Sequence, residues 1–156
     1  MVYEPNGTEH DDLVLRLGPF VARSDSYYYA LDREEGRAER SAIPSLRALL
    51  RQWREAVEAA DVGAVIYLPY DFSDQRTGWL RCVLGEGGFE IAPGWSDVEG
   101  YAFVPSDFAE TAAALADFEP FEGRGVPLTL ARDEVLAGIE ASECSLSEIE
   151  GAEGDG

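Results

Sequence analysis

The spacing of the apolar residues changes near residue 61, and this change constrains the fold more than any other feature of the chain. Over residues 45–60 they recur every three or four positions, as they do along one face of an α-helix. Over residues 64–104 they form short β-prone runs that Gly and Pro interrupt, which is typical of strands joined by turns. The two patterns together predict an α+β domain.

The predicted helix over residues 45–60 follows Pro44, which suits a first helical turn, and ends at residues 61–63. Residues 64–68 are apolar on both faces, which favours a central strand. Beyond a loop at 69–77, further strands are predicted at 78–84, 89–91 and 100–104, with turns at 85–88 and 93–94.

The segments on either side complete the predicted order. Residues 13–22 and 27–31 are expected to form a β-hairpin around a turn at 24–26. Asp107 and Glu110 have the spacing of a capping box, which predicts a second helix with an apolar stripe through Phe108, Ala112, Leu115 and Phe118 that ends at residues 119–120. A short extended segment at 127–130, a third helix at 132–141 and an acidic, disordered tail at 142–156 follow.

This order predicts a single α+β domain over residues 1–141. Its antiparallel sheet should have about five to six strands, with two to three helices packed mainly on one face.

The chain is strongly acidic, with 31 Asp and Glu against 12 basic residues, all arginine, and a net charge of -19. Such a field repels nucleic-acid phosphates and anionic lipid, and it attracts basic proteins and cations. We therefore expect a basic protein partner and no direct binding to nucleic acid or membrane. Solubility, a saline host or a GC-rich genome are alternative reasons for the same composition.

The chain shows no signal-peptide pattern and no apolar run of membrane-spanning length. Cys82 lies in an apolar run and Cys144 in a polar one, so a disulfide between them is not expected. Both features favour the cytoplasm.

One helix carries the main cluster of positive charge. Arg47, Arg51 and Arg54 are four and three residues apart, so they form a stripe beside its apolar face. The stripe is a possible anion-binding site. Alternatively, acids of the same chain neutralise it, including Glu55 and Glu58 at four residues from Arg51 and Arg54.

Two acidic–aromatic groups near predicted turns are the candidate binding residues. They should lie at the same end of the sheet, and they are Tyr70, Asp71, Phe72, Asp74 and Trp79, with Trp95, Asp97, Glu99 and Tyr101. Aromatic faces beside carboxylates suit Arg or Lys side chains of a partner, and they also suit a sugar ring. The alternative is turn chemistry, with Asp and Ser bonded to the loop backbone.

Metal binding and catalysis have little support in the sequence. Asp71, Ser73 and Gln75 imitate the start of a calcium loop, but Arg76 and Cys82 stand where Gly and Glu are needed, so no metal site is predicted. No cofactor is expected, and no catalytic residue is assigned. The chain has one histidine, no lysine and no phosphate-binding loop, which leans against an enzyme.

These observations lead to two hypotheses of function. The first is a small cytosolic module that binds and neutralises a basic protein, such as a toxin or nuclease. In size, charge and class the chain resembles bacterial immunity proteins and inhibitors whose acids mimic nucleic-acid phosphates. The alternative is a domain or enzyme that binds a carbohydrate or a cationic ligand through the Asp, Glu and aromatic residues of the sheet turns.

Overall fold

The β-strands form two antiparallel sheets. The computed structural model describes residues 1–32, 41–123 and 125–155. Its strands are β1 (Val2–Tyr3), β2 (Leu13–Leu17), β3 (Phe20–Ser24), β4 (Val65–Phe72), β5 (Thr77–Gly85), β6 (Gly88–Ser96), β7 (Glu119–Pro120) and β8 (Leu128–Leu130). The smaller sheet has the order β1-β2-β3, and the larger has the order β4-β5-β6-β7, with β8 also paired to β6. The predicted α+β class with antiparallel strands is confirmed, although the strands divide between two sheets.

The helices that the described residues form are α1 (Tyr27–Ala30), α2 (Ile43–Ala59), α3 (Ala109–Ala113) and α4 (Arg132–Gly154). The predicted helix over residues 45–60 is confirmed as α2, with Pro44 in its first turn. Its buried stripe, which includes Leu46, Leu49, Trp53 and Val57, belongs to the main core. Within the described chain, no helix combines the length and apolar character that a membrane span requires.

The N-terminal hairpin turns at Gly18-Pro19, not at residues 24–26 as the sequence predicts. Gly18 has a φ of 56°, which glycine adopts without a steric penalty. The Tyr-rich run at 27–31, predicted as the second arm, forms α1 instead. Buried Asp12 holds the start of α1 in place, because its carboxylate accepts hydrogen bonds from the Ser26 N–H at 2.8 Å and the Ser26 hydroxyl at 2.6 Å.

The strands predicted at 64–68, 78–84 and 89–91 are confirmed as β4, β5 and β6, and each is longer than predicted. β4 continues to Phe72, so the predicted loop at 69–77 is a short turn at 73–76. β4 lies at the edge of the described larger sheet rather than at its centre. It also contacts α3, α2 and β3 of the smaller sheet, which explains why an edge strand is apolar.

Pro93-Gly94 lies inside β6, although the sequence predicts a turn there. A Cβ added at Gly94 would lie only 2.1 Å from the Glu119 carbonyl oxygen. Glycine therefore permits the close approach of β7, and Pro93 contributes its carbonyl oxygen, which accepts a hydrogen bond from the Phe121 N–H at 2.9 Å.

Residues 100–104 form turns rather than the predicted last strand. The Gly100 N–H donates to the Ser73 carbonyl oxygen at 2.7 Å, which folds the segment back over the β4–β5 turn. Phe103 then stacks on Trp79 with ring centroids 5.6 Å apart. Phe103 therefore covers the core, whereas Tyr101 stays exposed.

The second predicted helix is much shorter than expected. α3 has five residues, and the capping box predicted at Asp107 is not formed, because Phe108 occupies the N-cap position. The Phe108 N–H instead donates to the Gln52 side-chain oxygen at 3.3 Å. Phe118 lies beyond the helix and packs against Tyr67, with ring centroids 5.5 Å apart.

The third helix is much longer than predicted. It was expected over residues 132–141, but α4 continues to Gly154, so residues 142–154 of the predicted disordered tail 142–156 are helical instead, and Gly156 lies outside the described residues. Ser142 and Leu146 are buried, and α4 packs against α2. A helix face that buries apolar side chains against the core stabilises the segment despite its acidic composition.

Candidate functional site

The arginine stripe on α2 is neutralised within the chain. Arg54 forms an ion pair with Glu143 and Arg47 with Glu150, both on α4, and Arg51 lies 4.0 Å from Glu55. The alternative interpretation of the stripe is therefore the one that the contacts support. Glu58 is not the partner of Arg54 as the sequence suggests, because α4 brings Glu143 closer.

Three of the predicted binding aromatics are not at the surface. Tyr70, Phe72 and Trp79 are 1%, 0% and 0% exposed, so they cannot stack against a partner. The Trp79 indole N–H donates to the Ser96 hydroxyl at 2.8 Å, which satisfies its one polar atom in the core. The expectation that these rings form a binding surface is wrong, because alternation along β4 and β5 turns them inward.

Asp71 and Asp74, the acids of the first predicted group, lie in one surface with acids and tyrosines from other segments of the chain. The end of β4 supplies Asp71, the β4–β5 turn supplies Asp74, and the segment after β6 supplies Glu99 and Tyr101. The segments around β2 and β3 supply acids and tyrosines that the sequence analysis did not single out. We call the whole set the acidic–aromatic surface, and it consists of Asp11, Asp25, Asp71, Asp74, Glu99, Tyr27, Tyr28 and Tyr101.

Hydrogen bonds hold these segments together. The Asp11 N–H donates to the Asp25 carboxylate at 2.9 Å. The Tyr28 hydroxyl donates to the Asp74 carboxylate, which links α1 to the β4–β5 turn. The bond from Gly100 to the same turn holds the loop of Glu99 and Tyr101 beside it.

Two tyrosines of this surface, Tyr28 and Tyr101, lie directly against carboxylates. Burial, together with the hydrogen bond to Asp74, raises the pKa of Tyr28 well above its ordinary value. A hydrogen bond with Glu99 raises the pKa of Tyr101, whose side chain is 65% exposed. Both phenols therefore stay neutral and present their rings next to negative charge.

Asp71 is the most perturbed carboxylate of the surface. Burial raises its pKa to about 7, and the charges of Asp25 and Asp11 add to the shift. The hydroxyl of Tyr29 beneath it is fully buried and has no hydrogen-bond partner among the described residues. Burial and the charge of Asp71 raise the pKa of Tyr29 as well.

The acidic–aromatic surface has little internal counter-charge. None of the arginines that the structure describes forms an ion pair with its five carboxylates. The nearest basic side chains are His10, whose Nδ1 lies 3.2 Å from Asp25 Oδ2, and Arg23, which donates to the Asp11 carbonyl oxygen and pairs with Glu4. This surface therefore differs from α2, where each arginine of the stripe has a carboxylate partner.

Trp95 and Asp97 lie at the same end of the larger sheet, as predicted, because Gly78 pairs with Trp95 in the register of β5 and β6. They line a separate groove of about 400 Å³ with Arg76, Asp117, Phe118 and Glu119. The Asp97 N–H donates to Asp117 Oδ2 at 2.8 Å. Trp95 packs edge-on against Phe121, which uses part of its ring.

The turn that imitates a calcium loop is closed by its own bonds. The hydroxyl and N–H of Ser73 both donate to the Arg76 carbonyl oxygen, at 2.9 Å and 3.1 Å. Across the described residues, no group of three or more His, Cys, Asp and Glu side chains is placed to hold a metal ion.

Comparison with known proteins gives no family for this chain. No protein-family model, no curated protein and no solved structure matches it.

Proposed function

We propose that this protein is a cytoplasmic module that binds a basic protein partner through its acidic–aromatic surface and neutralises that partner's activity. The observation that carries the proposal is the contrast in counter-charge. The arginines of α2 are paired within the chain, whereas the five carboxylates of the surface have no arginine partner among the described residues.

The composition of the surface suits Arg and Lys side chains. Carboxylates accept charge-assisted hydrogen bonds from a guanidinium group, and a neighbouring tyrosine ring attracts the same cation through its face. Tyrosine is also enriched among the residues that dominate binding energy at interfaces. Tyr101 and Tyr28, each hydrogen-bonded to a carboxylate, provide this combination twice.

The charge of the chain supports fast association with such a partner. A net charge of -19 creates a long-range field that steers a basic protein toward it. An inhibitor of this type covers a site that normally binds anionic substrate, because its carboxylates occupy the positions of phosphates. A toxin or nuclease is the class of partner that fits this description.

The alternative function, binding of a carbohydrate or cationic ligand, has one supporting observation. Trp95, Asp97, Asp117 and Glu119 line a groove of about 400 Å³, a volume typical of small-molecule sites. However, Trp79, which the sequence placed in the same site, is buried.

The proposal is tested by affinity capture from the native host with three forms of the chain at low and moderate salt. The surface variant carries Asp74→Asn and Glu99→Gln. The matched control carries Glu86→Gln and Glu148→Gln, which remove the same charge from exposed positions elsewhere. We expect a basic protein to be retained by the native chain and the control, and to be released by salt or by the surface variant. Equal retention by all three forms, or capture of no basic protein, would contradict the proposal.

A further inference from the structure

A second groove lies on the larger sheet, beside residues 115–123 and 126–127, with a volume of about 650 Å³. Its floor is a cross-strand row, because Arg81 of β5 pairs with Tyr67 of β4 on one side and with Ala92 of β6 on the other. Its wall is largely apolar and includes Leu115, Phe118 and Phe121. The volume lies within the range of sites for small molecules.

Arg81 is unusual among the arginines that the structure describes. Its side chain is half-buried, yet it forms no ion pair and no hydrogen bond with any described residue. The other unpaired arginines in this part of the chain, Arg16 and Arg76, are exposed to water. The guanidinium group of Arg81 therefore lies at the groove without an ion-pair partner among the described residues, and a bound anion could pair with it.

The groove contains charged groups of both signs, a positive one on Arg81 and negative ones on Glu90 and Glu122. Glu90 lies on the same face of β6 as Ala92, diagonal to Arg81, but too far from it for an ion pair within 4.0 Å. Glu90 and Glu122 are both exposed, so negative charge lies outside the half-buried Arg81. The Tyr67 hydroxyl has no hydrogen-bond partner among the described residues, which leaves a further donor on the floor. Carboxylate is the natural ligand of a guanidinium fork, and an ammonium group is the natural ligand of Glu90.

We infer that this groove binds a free apolar amino acid as a zwitterion. Its carboxylate lies on Arg81, its ammonium group faces Glu90, and its side chain packs against Leu115 and Phe118. A zwitterion has no net charge, so the negative field of the protein does not repel it as it would a dianion or a phosphate. This site is distinct from the acidic–aromatic surface, and it does not depend on the proposed partner.

The test uses L-phenylalanine and L-leucine as probes, with two analogues that each lack one charge. The analogues are 3-phenylpropionate, which has no ammonium group, and phenethylamine, which has no carboxylate. Binding to the native chain is measured by calorimetry and by amide NMR shifts at millimolar probe. We expect at least one amino acid to bind, with shifts at residues 67, 81, 92 and 115–121, and each analogue of phenylalanine to bind roughly tenfold more weakly.

The variant Arg81→Gln should weaken amino-acid binding roughly tenfold and leave phenethylamine unchanged, because only the carboxylate contact is lost. Arg16→Gln removes the same charge from an exposed position outside the groove and should leave both unchanged. The analogue series needs no substitution, so it remains decisive if the Arg81 variant fails to fold. Absence of binding by both amino acids, or equal binding of phenylalanine and phenethylamine to the native chain, overturns the inference.

Discussion

At the scale of single residues, Asp71 shows how position on a strand changes the chemistry of a carboxylate. Its neighbours Tyr70 and Phe72 point into the core, while Asp71 remains on the other side of β4, mostly covered and close to Asp25 and Asp11. Burial and like charge both disfavour its ionised form. In the proposed complex, a cation from the partner would compensate this charge.

The raised pKa of Asp71 predicts a specific pH dependence of stability. The folded state binds this proton up to about pH 7, whereas the unfolded chain releases it near pH 4. Because the folded state holds more protons between these values, the contribution of Asp71 to the free energy of unfolding decreases as the pH rises from 4 to 7. Asp71→Asn should therefore be more stable than the native chain at pH 8, and the difference should vanish near pH 4.

Urea denaturation of both forms across this pH range measures the effect, with Glu86→Gln as the control for loss of one exposed charge. A difference between Asp71→Asn and the native chain that is independent of pH would contradict the account of this residue.

At the scale of elements, the sequence predicted well where the local pattern and the tertiary environment agree. α2 and the β5–β6 hairpin have strong periodicity and clear turn residues, and both are confirmed. The errors occur where a distant contact decides the structure. Residues 27–31 have strand propensity, but Asp12 holds their start in a helical turn, and Pro93-Gly94 serves the approach of β7 rather than a turn.

The candidate site was predicted only in part for the same reason. Asp71, Asp74, Glu99 and Tyr101 do lie together, because the Gly100–Ser73 hydrogen bond joins their loops. The contribution of Asp11, Asp25 and the α1 tyrosines depends on how the smaller sheet packs on β4, which no local pattern reveals. The segment Ser24–Tyr29 contains Asp25 and the α1 tyrosines of the surface, but its sequence pattern is typical of a turn followed by a strand.

α4 gives the clearest test at this scale. Ile139, Leu146 and Ile149 recur at intervals of seven and three, as apolar residues do along one face of a helix. Glu143 and Glu150, which pair with arginines of α2, lie close to them in the sequence. The acidic composition of the segment led to a prediction of disorder in spite of this spacing. Leu146→Ala should lower the free energy of unfolding by about 3 kcal/mol, since a fully buried leucine leaves a cavity when truncated.

Ser147→Ala, at the neighbouring exposed position, is the matched control and should change stability by less than about 0.5 kcal/mol. Urea denaturation distinguishes the two. If residues 142–154 were a solvated tail, Leu146→Ala would be as neutral as the control.

At the scale of the whole molecule, negative charge is paired within the fold in one region and available to a partner in another. Acids of α4 pair with Arg47 and Arg54 of the stripe on α2, so part of the negative charge is used inside the fold. The acidic–aromatic surface has no arginine partner among the described residues, so its negative charge stays available to a partner. A partner is therefore expected to contact the surface and not α2.

The most direct test is the amide hydrogen-exchange footprint of the complex with the basic protein obtained by capture. The account predicts slowed exchange at residues 10–12, 25–28, 71–76 and 99–101, with no change on the face of α2 and α4. Protection confined to α2 and α4, or to the groove of Arg81, would contradict the claim that the acidic–aromatic surface is the binding site.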